Sequence, residues 1–118
     1  MAYVRRYCGP ILLDINRGQL RRYCGPVIYE VDRGLMRKYC GPAIYAFSDH
    51  EIRPYCGPII MTYSNGQIRN YCGPVFAEIE NDRYIRKYCG PIIYEIEGSL
   101  SHDELMMLIT YIFILKEI

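Results

Sequence analysis

Apolar and polar residues alternate along most of this chain, in short runs separated by turn-forming residues. One stretch reads Leu20-Arg-Arg-Tyr-Cys-Gly-Pro-Val-Ile-Tyr-Glu-Val31, followed by Asp32-Arg33-Gly34-Leu35. Short β-branched and aromatic runs bounded by Gly, Asn, Asp and Pro are the signature of β-strands. This pattern predicts one set of strands at residues 4–7, 20–23, 36–39, 52–55, 68–71 and 85–88, and a second at 11–15, 27–31, 43–47, 59–63, 75–79 and 92–96. The alternation stops near residue 100. Residues 105–115 (Leu-Met-Met-Leu-Ile-Thr-Tyr-Ile-Phe-Ile-Leu) are apolar in every direction a helix can face, with Thr110 the one polar interruption. Ser101 and Glu104 have capping-box spacing, Asp103 and Glu104 fall in the first turn, and Lys116 falls in the last. A helix apolar all round is surrounded by protein or by lipid. This one covers roughly 17 Å against the roughly 30 Å of a bilayer core, so it is expected to be enclosed by the rest of the chain.

The strands recur as a repeat. Tyr-Cys-Gly-Pro occurs six times, with cysteines at Cys8, Cys24, Cys40, Cys56, Cys72 and Cys89; the spacing is sixteen residues, and seventeen for the last copy. The extra residue falls at 80–84 and is expected to form a bulge. Asn16-Arg-Gly, Asp32-Arg-Gly and Ser64-Asn-Gly mark one set of turns. Cys-Gly marks the other, with Gly free to take positive φ and Pro opening the next strand. If Cys24-Gly25 is a two-residue turn, Arg21 faces Ile28 and Leu20 faces Tyr29. If residues 32–35 form a four-residue loop, Val31 faces Met36 and Glu30 faces Arg37. Both loops are even, so Leu20, Val27, Tyr29, Val31 and Met36 share one face and Arg21, Glu30 and Arg37 the other.

Twelve strands in a meander can close into a barrel roughly 24 Å across, wide enough for one helix. The fold expected is therefore mainly β and a single domain over residues 1–118. Six hairpin repeats (1–98) form a closed antiparallel barrel of pseudo-six-fold symmetry around the helix (99–118). Closure pairs the first strand with the last, placing Val4 near Ile96 and Arg5 near Glu95. The alternative is a β-solenoid of sixteen-residue coils with the helix as an end cap. The barrel is preferred because a capping helix would keep a polar face.

Twelve antiparallel strands around a hydrophobic C-terminal helix resemble the tubby-like barrel shared by phospholipid scramblases. The tandem pattern Gly-x-Ile-Arg-x-Tyr-x-Gly-Pro-x-x-x-x-Ile, as in Gly66 to Ile79, also resembles the bacterial hairpin-repeat proteins called β-flowers, over residues 3–98. Both resemblances imply an architecture rather than a chemistry.

Composition narrows the function classes. The chain is 51% apolar and 23% charged, enough for a packed core and incompatible with disorder. A net charge of +1 leaves no general footprint for nucleic acid. The start, Met-Ala-Tyr-Val-Arg-Arg, lacks the apolar core of a signal peptide, which favours a cytoplasmic location where cysteines stay reduced.

No catalytic constellation, cofactor motif or metal-ligand spacing is present, and the chain is read as not an enzyme. The cysteines lack the close pairs usual for zinc, and neighbouring Cys-Gly turns in a barrel would lie roughly 9–10 Å apart, beyond disulfide reach. They are read as small turn residues copied with the repeat. Arg5, Arg21, Arg37, Arg53, Arg69 and Arg86 are read as outer-face partners of Asp14, Glu30, Glu78 and Glu95. The residue after each arginine (Arg6, Arg22, Lys38, Pro54, Asn70, Lys87) points inward at the Cys-Gly-Pro mouth, where the helix C-terminus should emerge. These cations offset the negative helix end or form an anion site. Tyr7, Tyr23, Tyr39, Tyr55, Tyr71 and Tyr88 face outward near the same mouth, joined by Leu12, Ile28, Ile44, Ile60, Phe76 and Ile93 in an exposed apolar band. His50 and His102 make no pair. The leading reading is a structural or interaction module, engaged in self-association or with a protein partner. The alternative is a lipid- or anion-binding module using Arg6, Arg22, Lys38, Lys87 and the six tyrosines, with an anionic lipid surface as partner.

Overall fold

A computed structural model describes residues 2–116. Twelve strands run in chain order: β1 (Ala2–Arg6), β2 (Ile11–Asn16), β3 (Gln19–Arg22), β4 (Val27–Asp32), β5 (Leu35–Lys38), β6 (Ala43–Phe47), β7 (Glu51–Pro54), β8 (Met61–Ser64), β9 (Gln67–Asn70), β10 (Val75–Glu80), β11 (Tyr84–Lys87) and β12 (Ile92–Gly98). Each pairs with its neighbours, and β1 pairs antiparallel with β12, so the barrel is closed. The closing register is the expected one, Val4 opposite Ile96 and Arg5 opposite Glu95. The solenoid is excluded, since its first and last coils could not share a ladder.

At the turn end the register is also as expected, with Val31 opposite Met36 and Glu30 opposite Arg37. The loop there is tighter than four residues. Asp32 pairs with Leu35, and Arg33 and Gly34 both take positive φ (51° and 77°), a two-residue hairpin turn of the type that matches strand twist. A Cβ on Gly34 would lie 2.8 Å from the Phe47 carbonyl oxygen, so glycine is required there. The extra residue at 80–84 makes no bulge: Glu78–Arg86, Ile79–Ile85 and Glu80–Tyr84 pair continuously. It is absorbed by the turn, where Asn81 and Asp82 both adopt positive φ, a conformation these two residue types tolerate.

The bulges lie at the other end. In β3–β4, Leu20 faces Tyr29 as expected, but Arg21 faces Val27, and Ile28 is the extra residue. The same shift skips Leu12, Ile44, Phe76 and Ile93. The turn itself explains the shift. Gly25 N–H donates to the Arg22 carbonyl (2.8 Å), so the turn spans Arg22 to Gly25, and Tyr23 belongs to it rather than to the strand. Cysteine, not glycine, holds the left-handed position, with φ between 54° and 60° in all six copies. Each bulge carbonyl accepts the N–H of the tyrosine in the next unit, as in Tyr23 to Leu12 (3.0 Å) and, across the closure, Tyr7 to Ile93 (3.1 Å).

The core is layered. Val4, Leu20, Met36, Ile52, Ile68 and Ile85 are each 0% exposed and form a girdle, one residue per unit. Inside it runs α1 (His102–Ile109), which continues as a π-helix over Thr110–Leu115 and ends at Lys116 in the left-handed conformation. The expected helix is thus present, but its second half is wider than α. The change begins at Thr110, whose hydroxyl donates back to the Met106 carbonyl (2.9 Å), a bond that perturbs helix hydrogen bonding. Met106 to Thr110 are fully buried.

The capping box forms, and Glu104 does more than cap. One carboxylate oxygen accepts from Ser101 N–H (2.9 Å) and the other from Gly18 N–H (2.9 Å), while Asp103 accepts from Gly34 N–H (3.2 Å). The first turn of the helix is thereby fastened to two hairpin turns. Burial of Glu104 opposes its charge, but the Ser101 and Gly18 N–H groups outweigh burial and hold its carboxyl below the usual value. Glu104→Ala is expected to destabilise the fold by about 2 kcal/mol, from the lost cap and a part-buried donor left unpaired. Because the folded-state pKa is depressed, the ionised carboxylate's contribution is full above the usual carboxyl pKa and fades as pH falls through the lowered one. Urea titrations of wild type and variant should therefore converge in acid.

Candidate contact face at the Cys-Gly-Pro end

The six Tyr-Cys-Gly-Pro turns gather at one end of the barrel and the Arg-Gly and Asn-Gly turns at the other. The helix enters from the Arg-Gly end, where Glu104 meets Gly18, and leaves at the Cys-Gly-Pro end, where Phe113 stacks edge-on against Phe76 (ring centroids 5.3 Å apart). Tyr111 meets Tyr29 in the same way at 5.8 Å.

Inward projection of Arg6, Arg22, Lys38 and Lys87 follows from their ladder partners. They sit opposite Tyr94, Leu13, Tyr29 and Ala77, all buried core residues. At the rim these four side chains are exposed. Barrel order makes the arrangement asymmetric. Going round through β11, β1, β3 and β5, the sequence is Lys87, Arg6, Arg22, Lys38; β7 and β9 then supply Pro54 and Asn70. The four cations form one continuous arc and the neutral pair completes the ring. Two clefts open along the arc, one lined by Arg22, Ile28, Tyr29 and Lys38, the other by Arg6, Lys87, Ile93 and Tyr94. None of the four cations makes an ion pair with a described residue.

The six tyrosines surround this arc as expected, each between 48% and 54% exposed, so one half of every ring is available for contact. The apolar band is corrected. Leu12, Ile28, Ile44, Ile60, Phe76 and Ile93 are part-buried against the core instead of lying outside. The bulge supplies the reason: one extra residue before the ladder resumes turns these side chains to the inner side of the wall, as Phe76 on Phe113 illustrates. The six cysteines are free and exposed. Among the described residues no group of three or more His, Cys, Asp and Glu is set to hold a metal ion, and no helix is long and apolar enough to cross a membrane.

The outer arginines follow the expected register, Asp14 opposite Arg21 and Glu78 opposite Arg86. Their charged heads reach along the sheet rather than straight across: Arg5 meets Glu97 (2.7 Å) and Arg86 meets Glu80 (2.9 Å). Long side chains span diagonal neighbours in a sheet, and these part-exposed pairs contribute roughly 0.2–1 kcal/mol each.

Charge segregation is the feature that a net charge of +1 concealed. Ten of the fourteen Lys and Arg residues fall within the six Arg-x-Tyr-Cys-Gly-Pro copies, and none of the thirteen Asp and Glu residues does. Lys116 adds a cation at the helix exit. The described carboxylates lie on the outer wall or around the opposite turns. There a cavity of about 590 Å³, lined by Tyr63, Asp82, Arg83, Leu100, His102 and Leu105, opens on the side away from the Gly18 and Gly34 anchors. Burial, and then the charge of Asp82, pushes the Tyr63 hydroxyl above its usual pKa.

Comparison with family models, curated proteins and solved structures gives no match to this chain.

Proposed function

We propose that this protein is a non-enzymatic interaction module, and that its Cys-Gly-Pro face is the surface that meets a negatively charged partner. The observation that carries the reading is the unbroken arc Lys87–Arg6–Arg22–Lys38, exposed and without ion pairs among the described residues, at an end where the repeats supply cations and no carboxylate. A cleft walled by Arg22 and Lys38 suits an anionic oxygen group, since both donors converge on it from neighbouring hairpins. The barrel acts as a rigid mount: every strand is paired on both sides, so the rim has no loose edge. Architecture agrees with the resemblance to β-flower and tubby-like barrels, and the proposed role does not depend on it.

The six half-exposed tyrosines favour a second reading, in which the anionic surface is a lipid headgroup layer, because tyrosines beside cations suit the membrane interface. One experiment addresses both. Wild type and Arg22→Gln/Lys38→Gln protein are passed over a phosphate-bearing resin and sedimented with vesicles of phosphatidylserine or phosphatidylcholine. Resin retention that falls at least tenfold in the variant supports the contact face. Cosedimentation with the serine lipid alone supports the lipid reading, and equal retention of both proteins rejects the face.

A further inference from the structure

We infer that the partner of the Cys-Gly-Pro face is the opposite, hairpin-turn face of a second copy of this chain, so that barrels stack head to tail. The inference rests on the reading of that face as the contact surface and names its occupant.

Charge favours this pairing of faces. Asp32, Asp49, Glu80 and Asp82 are exposed around the hairpin-turn end. Arg83 is held by Glu95 at 3.4 Å and Glu80 by Arg86 at 2.9 Å, so Asp32, Asp49 and Asp82 stand against Arg17 and Arg33 and the turn face is negative in balance. It is the complement of the cationic arc, and like faces repel. Complementary patches on one molecule favour heterologous contact over a two-fold dimer.

The shape of the molecule favours it too. The molecule measures 37 × 35 × 21 Å. An object with six-fold pseudo-symmetry has two equal extents across its axis, so the short dimension lies along the barrel and the broad faces are its two ends. Each broad face of a disc 37 × 35 Å covers about 1,000 Å², comparable with the roughly 800 Å² per partner of a stable protein interface. Both faces are centred on the same axis, so stacking superposes one ring of turns on another.

The chemistry of the rim points the same way. Ile28, Phe76 and their equivalents turn inward against the core and leave tyrosine edges, thiols and cations at the surface. Such a face lacks the apolar wedge that insertion into hydrocarbon would use. It suits a polar, acidic protein surface, where tyrosine supplies contact area with little loss of side-chain freedom. A head-to-tail contact along the axis does not close on itself, so the product is an open stack whose length grows with concentration.

Sedimentation velocity in reducing buffer tests this. At low ionic strength the wild-type protein should run heavier than its 13.9 kDa monomer, with mean mass rising with concentration. At ~1 M salt, where the screening length is about 3 Å, it should return to the monomer. Lys38→Glu/Lys87→Glu cancels the charge of the arc and Asp49→Lys/Glu80→Lys reverses that of the turn face, both at exposed positions, and each variant should associate at least tenfold more weakly. Mixed in equal amounts, the two variants still offer one unaltered arc and one unaltered turn face to each other and should recover a dimer. A monomer at every concentration, association that both variants retain, or a mixture that stays monomeric overturns the stack. Retention of a monomeric wild type on the phosphate resin, lost in the lysine variant, would leave the contact face standing without it.

Discussion

Leu108→Asp should abolish the native fold. Leu108 is 0% exposed, in the part of the helix surrounded by the girdle of Val4, Leu20, Met36, Ile52, Ile68 and Ile85. Among the described residues no cation lies in that layer to pair with a carboxylate. Burying an unpaired charge costs several kcal/mol after relaxation, added to the lost packing of leucine. A domain of this size has about 5–15 kcal/mol in total. Depth should matter in a measurable way. Ile112 is 6% exposed and lies one turn closer to the cationic rim, so Ile112→Asp leaves its charge nearer to solvent and should be the milder lesion. Circular dichroism and urea unfolding of the two variants check this order; a folded Leu108→Asp protein of unchanged stability would refute the enclosed helix.

Removing the helix should be as severe by another route. A chain ending at Gly98 keeps all twelve strands and the β1–β12 closure. It leaves the girdle and its neighbours Leu13, Ile15, Tyr29, Ala77 and Ile96 around an empty lumen. Core side chains lining a void of that size lose both burial and contacts, and the wall has no second sheet to collapse upon. The shortened chain should bind a hydrophobic dye, lose its cooperative unfolding transition and aggregate. Recovery of a soluble protein with a sharp transition would mean that the strands alone make a core, contrary to the layered packing described above.

Much of this fold was legible because the repeat multiplies every local signal six times. Turn length, strand parity and an all-apolar helix jointly implied a closed barrel and even the Arg5–Glu95 register. What parity missed was the conformation of one residue. The reading gave the positive φ of the Cys-Gly turn to glycine, the usual host, whereas cysteine adopts it in all six copies. The turn therefore takes in the preceding tyrosine, and the return strand carries one extra residue. That single slip kept Val27 on the inner face and left Ile28 outside, whereas the ladder sets Val27 opposite the outer Arg21 and packs Ile28 against the core. The insertion at 80–84 misled in a related way: two adjacent residues that tolerate positive φ, Asn81 and Asp82, let a longer turn absorb it.

The candidate face was legible as residues but not as a surface. Arg6, Arg22, Lys38 and Lys87 could be assigned to the rim by counting. That they are contiguous follows only once Lys87 and Arg6 become neighbours across the closure. The anchoring of the helix to Gly18 and Gly34 had no local signal, since it joins residues 86 and 69 positions apart. A capping-box glutamate has a second oxygen to offer, and which backbone N–H it accepts from is decided by tertiary packing.

The enclosed helix, the contiguous cationic arc and the two end faces all depend on the ring being closed, and one crosslink tests closure directly. Tyr3 and Glu97 are ladder partners in β1 and β12 and lie on the outer face, where an oxidant can reach them. Cysteines at these two positions, with Asn replacing the six native cysteines, should oxidise within a single chain. The bond closes a loop of more than ninety residues and should stabilise the protein by about 4 kcal/mol in the chain-entropy picture. Efficient formation of a monomeric disulfide, with a matching rise in the urea midpoint, is the result this fold predicts. Crosslinks that form only between chains, or not at all, would contradict it.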